Sequence, residues 1–325
     1  MNLLQLKQAT AVVQPNHSIL IYSPPKLGKT RLVGTAARIP EVKRIWWFDN
    51  ENGHETLLHM GLTDEELSKI VLIRMVDTRE TPVSSETILR AFTSKVPVSI
   101  CELHGRVECA ECAKEKLPSI MWHLRQCKHD ELVVIDSGSQ LGDSCMSAAC
   151  MGKPVTNKPL LDDYGSAGKW LSDICSIIQQ CQNTNFVVCT HEIGLEDDQG
   201  KEKIYPLMGT QNFSRKCSKY FGTVVYLLKK LGKHAAESSS TFRADVLTGS
   251  RLGIDLGKIA EPSMKDILIA GGILKRLTAS SIPTEDKQPQ TVEASVESTT
   301  KVEGSKPLTL AEKIALSKSK SVTRV

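Results

Sequence analysis

Short apolar runs alternate with stretches of helical periodicity along most of the chain. Residues 18–22 (SILIY), Arg44–Asp49 (RIWWFD), Ile70–Arg74 (IVLIR), 132–136 (LVVID) and 186–190 (FVVCT) are continuous apolar runs. That pattern predicts strands buried on both faces. Helices are predicted over 29–38, ending before Pro40, and over 85–92, capped by Ser84 or Ser85. A third is predicted over 163–181, where Ala167, Leu171, Ile174 and Ile178 share one face. Residues 224–228 (VVYLL) and 242–247 (FRADVL) read as a further pair of strands, with an antiparallel pairing open. Strands alternating with helices predict an α/β fold, its mainly parallel sheet covered by helices on both faces. After residue 279 the pattern stops. Residues 280–306 are rich in Ser, Thr, Glu, Pro and Lys and predict a disordered linker. In the tail, 307–325, Leu308, Leu310, Ala311, Ile314 and Ala315 fall near helical spacing. It reads either as a frayed end or as a short partner-binding helix, beyond a core of 1–279.

Composition narrows this picture only a little. The chain has 325 residues, 40% hydrophobic and 24% charged, as in ordinary globular proteins. A net charge of +4 permits nucleic-acid binding without arguing for it. The N-terminus lacks the pattern of a secretory signal, and no run is long and apolar enough to span a membrane. An intracellular, cytoplasmic setting is therefore expected, where the ten cysteines stay unpaired or bind metal. Cys175, Cys181 and Cys189 sit in apolar segments and read as small core residues.

The chemistry begins after the first strand. Ser23, Pro24, Pro25, Lys26, Leu27, Gly28, Lys29 and Thr30 match the phosphate loop G-x-x-x-x-G-K-[ST] except at Ser23, where glycine is usual. A tight loop ahead of a helix aims backbone N–H groups at phosphate oxygens. Gly28 allows close approach, Lys29 reaches the β- and γ-phosphates, and Thr30 offers its hydroxyl to Mg²⁺. Lys26 reads as solvated. Asp136, ending its strand at the carboxyl edge of the sheet, is the expected second Mg²⁺ holder. Glu51, in Asp49-Asn-Glu-Asn-Gly53, is the candidate for activating water, with Asp49 second. A polar loop with a helix cap is the plainer reading of that segment. His191, at the end of 186–190, is the candidate γ-phosphate sensor.

These residues in this order resemble the RecA-like ATPases. More closely, the chain resembles phage-encoded AAA-type ATPases of the RecA-like single-strand-annealing class. The likeness is carried by IYSPPKLGKTRL, FDNENGHETL, VVIDSGSQL, DDYGSAGKW, VVCTHE and YPLMGTQNFSRKCSKYFGTVVYL, across roughly 17–250. It implies a RecA-like P-loop NTPase fold and hydrolysis of ATP with Mg²⁺. It also implies a homo-oligomer around single-stranded DNA, and work in recombination, repair or replication inside a phage-infected bacterium. A single-strand-binding or other replication protein is the implied partner of the tail. DNA contacts in that family fall in loops that correspond to 138–160 and 193–205. The first carries Lys153 and Lys158 but no aromatic ring; the second carries Glu196, Asp197 and Asp198 before Lys201 and Lys203, and reads equally as a plain hairpin. Arg215, Lys216, Lys219 and Arg243 are candidates to reach a neighbouring subunit's nucleotide. Two rivals are a loader or scaffold with little hydrolysis and a small-molecule P-loop kinase. A GTPase is disfavoured, because Asn157-Lys158-Pro159-Leu160 lacks the aspartate that reads guanine.

One cluster belongs to none of this. Cys101, His104, Cys109 and Cys112 form C-x₂-H-x₄-C-x₂-C, the spacing of a structural Zn²⁺ site. Cys127 or His129 could replace His104 or Cys101, and unrelated surface thiols are the plainer reading. Either way the cluster sits in an insertion, 98–129, between the Glu51 and Asp136 strands. It would pin a long loop, or touch nucleic acid or a neighbouring subunit.

Overall fold

The computed structural model describes residues 16–274, apart from 79, 155–157, 198 and 231. The expected linker, 280–306, and tail, 307–325, lie outside the described residues. In chain order the elements are β1 (Ser18–Ser23), α1 (Lys29–Gly34), β2 (Arg44–Asp49), α2 (Glu55–Leu58), α3 (Asp64–Ser68), β3 (Ile70–Arg74) and α4 (Val83–Thr93). Then come β4 (Val98–Cys101), α5 (Ala110–Lys114), β5 (Ser119–Trp122), β6 (Glu131–Asp136), α6 (Gly138–Ala149) and α7 (Leu161–Gln180). They are followed by β7 (Asn185–Glu196), β8 (Glu202–Leu207), α8 (Gln211–Ser214), β9 (Thr223–Lys230), β10 (Lys233–Glu237), β11 (Gly249–Ser250) and α9 (Met264–Leu268).

The main sheet runs β10-β9-β1-β7-β6-β2-β3, with β8 on β7 and β11 on β9. From β9 through β3 every neighbour is parallel; β8, β10 and β11 pair antiparallel. The strand that feeds the phosphate loop therefore lies beside β7, and β7 separates it from the strand that carries Asp136. This is the α/β fold with a mainly parallel sheet that the sequence predicts, the phosphate-loop motif following its first strand.

The apolar runs of β1, β2, β6 and β7 are continuous because both faces are buried; β3, expected to be the same, is the sheet edge and buries only Ile73. Successive residues go to opposite faces. Leu20, Tyr22, Phe48, Val133, Ile135, Phe186 and Val188 pack against Ile88 and Phe92 of α4, Leu141 of α6, and Leu171 and Ile174 of α7. Their neighbours Ile19, Ile21, Ile45, Trp47, Leu132, Val134, Val187 and Cys189 pack against Leu32 and Val33 of α1, Leu57 of α2, and Ile267 and Leu268 of α9.

Several expectations are corrected. The helix expected over 29–38 is α-helical only to Gly34 and continues as a 3-10 turn, Thr35–Arg38. Residues 242–247 are not a strand: Arg243 pairs with Asp245 within a turn, and β10 is the antiparallel partner of β9. The segment 138–160 is not a loop throughout, because Ser137 caps the helix α6 by accepting from Gln140 N–H at 3.3 Å. The segment 193–205 is the β7–β8 hairpin. Among the described residues no helix is long and apolar enough to cross a membrane.

Candidate active site

The loop 23–30 leaves β1 at Ser23, which is fully buried. Its hydroxyl donates to Pro24 O at 2.8 Å, so the residue standing in place of glycine folds its side chain back on the loop. Gly28, at φ 87°, turns the chain into α1, a conformation glycine adopts without steric cost. Lys29 is buried at 6% exposure. Its Nζ lies 3.3 Å from Ser23 Oγ, 3.3 Å from Pro24 O and 3.2 Å from His191 Nδ1. Burial lowers its pKa, while Cys189, Asp136 and Glu51 pull the other way. The next residue, Thr30, donates from Oγ1 to Asp136 Oδ2 at 2.8 Å.

Asp49 and Asp136 lie in register on β2 and β6. Their surroundings give them different work. Asp49 accepts the N–H groups of Glu51 (3.2 Å), Gly53 (3.0 Å) and His54 (3.2 Å), and the His54 ring as well. It is spent on folding the loop that follows it. Among the described residues the Asp136 carboxylate bonds only the Thr30 hydroxyl, and burial pushes its pKa up to about 6, Thr30 opposing and the nearby Asp49 and Glu51 charges adding. Gly53 closes on this pair: a Cβ there would lie 2.8 Å from Asp136 Oδ2 and 3.2 Å from Thr30 Oγ1.

Glu51 Oε1 accepts the Ser137 hydroxyl and lies 3.2 Å from His191 Nε2. Partial burial raises its pKa, but the hydrogen bonds from His191 and Ser137 outweigh that and leave it lowered. His191 is in register with Ser23 across β1 and β7. Its backbone N–H donates to Ser139 Oγ at 2.8 Å, and Ser139 is itself bonded to Thr190 Oγ1 at 2.8 Å. A neutral ring protonated on Nε2 satisfies both neighbours: it donates to Glu51 and accepts from Lys29.

The structure thus brings Lys29, Thr30, Glu51, Asp136 and His191 together and turns Asp49 away. Three positioning residues escape a reading of the sequence. Asn50 clasps the backbone of Ser137, accepting its N–H and donating to its carbonyl at 3.1 Å. Ser137 and Ser139 then hold Glu51 and His191. The only signal for them is that both flank Asp136 in sequence.

The candidates for DNA contact and for reaching a neighbouring subunit are mostly engaged within the chain. Lys153 pairs with Asp163, and Lys203 with Asp197 at 3.0 Å. Arg215 donates to Glu196 O at 2.7 Å, Arg243 pairs with Asp245, and Lys219 lies over the Tyr220 ring at 4.8 Å.

Away from this edge, β4 and β5 form a hairpin that carries Cys101, His104, Cys109 and Cys112. One ligand atom from each lies within 4.8 Å of all the others. His104 Nδ1 is 3.6 Å from Cys109 Sγ and 3.4 Å from Cys112 Sγ. Ligands about 2.0–2.3 Å from a tetrahedral Zn²⁺ stand at such separations, so the set fits zinc. Cys127 and His129 lie elsewhere: Cys127 packs in the main core, and the His129 ring meets Asn16 Oδ1 at 2.7 Å and Ile273 O at 2.9 Å.

No protein-family model and no curated protein matches the sequence. Among solved structures the chain is similar to a prototypical ATPase from the type III secretion system of pathogenic bacteria, at 15% identity and TM-score 0.41, covering 82% of this chain and 63% of that one. It is also similar to the RadB recombinase, at 15% identity and TM-score 0.36, covering 74% of this chain and 89% of that one. A third is the ATP synthase subunit NeqB from Nanoarcheaum equitans, at 13% identity and TM-score 0.41, covering 74% of this chain and 52% of that one. The chain therefore spans less than two thirds of the first and third of these. At such distances the likeness says nothing about chemistry.

Proposed function

We propose that this chain is a Mg²⁺-dependent ATPase. Lys29 and the backbone of loop 23–30 hold the triphosphate, Thr30 and Asp136 hold the metal, Glu51 acts on the attacking water, and His191 responds to the γ-phosphate. The observation that carries the reading is the convergence of these side chains from separate strand ends, joined by the 2.8 Å Thr30–Asp136 bond and the bridge of His191 between Lys29 and Glu51. The site fits a divalent cation because Asp136 is a buried carboxylate supported by one hydroxyl, with Lys29 turned toward the loop carbonyls. When bound, magnesium supplies fixed positive charge beside the γ-phosphoryl oxygens.

The remaining steps belong to the chain. Lys29 leaves the carbonyls of Ser23 and Pro24 for the phosphates, a stronger, charge-assisted partner. That movement frees His191 Nδ1, so the ring can turn when phosphate arrives or departs. Glu51, with its pKa lowered, is ionised at neutral pH but weakly basic. It therefore orients water more than it deprotonates it, which suits a loose phosphoryl-transfer transition state.

We further propose that hydrolysis serves DNA recombination, repair or replication, in a homo-oligomer on single-stranded DNA in the bacterial cytoplasm, with the tail recruiting another replication protein. This part rests on the family resemblance of the motif-bearing segments. Structural Zn²⁺ on Cys101, His104, Cys109 and Cys112 completes the cofactor set.

The test is ATP hydrolysis with and without single-stranded DNA. Lys29→Ala is expected to lose nucleotide binding and turnover together. Glu51→Gln is expected to keep binding and lose turnover by about 10²-fold, the cost of a misplaced attacking water. Wild-type turnover in Glu51→Gln would remove the assignment of Glu51, and turnover indifferent to DNA would remove the support for a DNA role.

A further inference from the structure

The turn of the Cys/His hairpin rests on the end of β3, and residues there bond the Glu51 loop. His104 and Gly105 form the turn of the metal cluster, and Gly105 is at φ 67°. A Cβ on Gly105 would lie 2.3 Å from Arg74 O, so this turn rests on the backbone at the end of β3. Thr87 on α4 holds it there, donating to Gly105 O at 2.8 Å. Beyond the contact, Met75 N–H donates to Asp49 O at 2.8 Å, and Arg74 Nε donates to Asn52 Oδ1 at 3.0 Å. Asn52 is the residue after Glu51 and sits at φ 56°, a left-handed conformation that asparagine adopts more readily than other non-glycine residues.

The body of the hairpin is held by the main core, which Ile100, Val107 and Trp122 join. Its base is anchored by Trp122, which packs on Phe48 and Phe92. At the tip, among the described residues, Cys101, Cys109 and Cys112 form a small cluster apart from that core, and all three are free thiols. A metal is what such a cluster has for order.

We propose that this metal site governs the ATPase by positioning: the metal-bound turn fixes Arg74 and Met75, and these fix the loop that aims Glu51. Loss of the metal then lowers turnover and leaves the nucleotide-binding loop intact. The proposal rests on the reading of Glu51 given above. Arg74 is a positioning residue in this scheme, acting through Asn52.

The experiment uses the full chain with magnesium in excess, and a chelator selective for zinc. Zinc content, affinity for a fluorescent ATP analogue, kcat and KM are measured for wild type, stripped wild type, Cys109→Ser, Arg74→Met, Arg74→Lys and Glu51→Gln. Stripped protein and Cys109→Ser are expected to bind nucleotide within about twofold of wild type while kcat falls by roughly fivefold or more, the loss of at least one hydrogen bond's worth of positioning. Zinc restores stripped wild type but not Cys109→Ser. Arg74→Met keeps its zinc and loses roughly three- to fivefold in kcat with KM unchanged, and Arg74→Lys recovers part of that. Unchanged kcat in stripped protein and in Arg74→Met, beside an inactive Glu51→Gln, overturns the coupling and spares the ATPase reading. An active Glu51→Gln overturns both. A purified chain that carries no zinc and whose kcat does not rise when zinc is added overturns the coupling alone.

Discussion

Asp49 and Asp136 are the same residue type, in register on neighbouring buried strands, and differ only in their donors. Three backbone N–H groups make Asp49 a part of its loop. One hydroxyl leaves Asp136 under-supported, with its pKa pushed up to about 6 by burial. The folded state holds the Asp136 proton more tightly than the unfolded chain does. Its ionised form therefore costs stability above about pH 6, and that cost fades as pH falls toward 4. Asp136→Asn is expected to raise the metal-free protein's stability by on the order of 3 kcal/mol at pH 7 and by almost nothing at pH 4, as read by denaturant unfolding. No gain at pH 7 would mean that the carboxylate is already compensated. The same contrast marks what was legible. Lys29 and Thr30 stand in a local motif, and Asp136 ends an unmistakable apolar run. Asn50 and Ser139 act on partners 87 and 52 residues away, which no local pattern reports.

At the scale of elements, runs buried on both faces were readable because every position in them must be apolar. The edge strand β10 was not, since Lys233–Glu237 (KHAAE) needs only Ala236 to face the core. The more apolar 242–247 attracted the assignment instead. Its Val246 does make one bridge, to Ile204 on β8, but the Arg243–Asp245 pair turns the chain there. The hairpin β4–β5 was legible as an insertion and a metal pattern, not as strands. Its attachment can be tested at Trp122, whose ring is wedged between Phe48 and Phe92 while its indole N–H has no partner among the described residues. Trp122→Ala is expected to cost about 3–5 kcal/mol of stability in chemical denaturation. Trp122→Phe should cost much less than half of that, because it removes an unsatisfied donor as well as ring area. Equal costs for the two would show that the indole nitrogen has a partner after all.

Across the whole molecule, strand order assembles the site. Parallel strands bring Ser23, Asp49, Asp136 and His191 to one edge of the sheet, and β7 sets His191 between the phosphate loop and Glu51. At the opposite edge His17 is built into the sheet's start, its backbone N–H donating to Asn185 Oδ1 at 2.9 Å and its ring 2.7 Å from Thr223 Oγ1. Burial, helped by Arg251, lowers its pKa to about 4. Between pH 6.5 and 4 the unfolded chain therefore binds a proton that the folded chain refuses, and stability falls by about 3 kcal/mol across that window. This opposes the contribution of Asp136, so wild type should show a shallow acid profile. His17→Gln is expected to become more stable relative to wild type as pH drops from 6.5 to 4, and thermal melting across that range checks it.

The clasp of Asn50 on Ser137 has a mechanical result. By gripping the peptide groups on both sides of Ser137's Cα, it welds the tips of β2 and β6 into one rigid jaw that carries both carboxylates. The positions of Asp136 and Glu51 are thereby tied to each other. Across from this jaw stands the Lys29 loop, against which β10 leans through His234 Nδ1, 3.1 Å from Leu27 O.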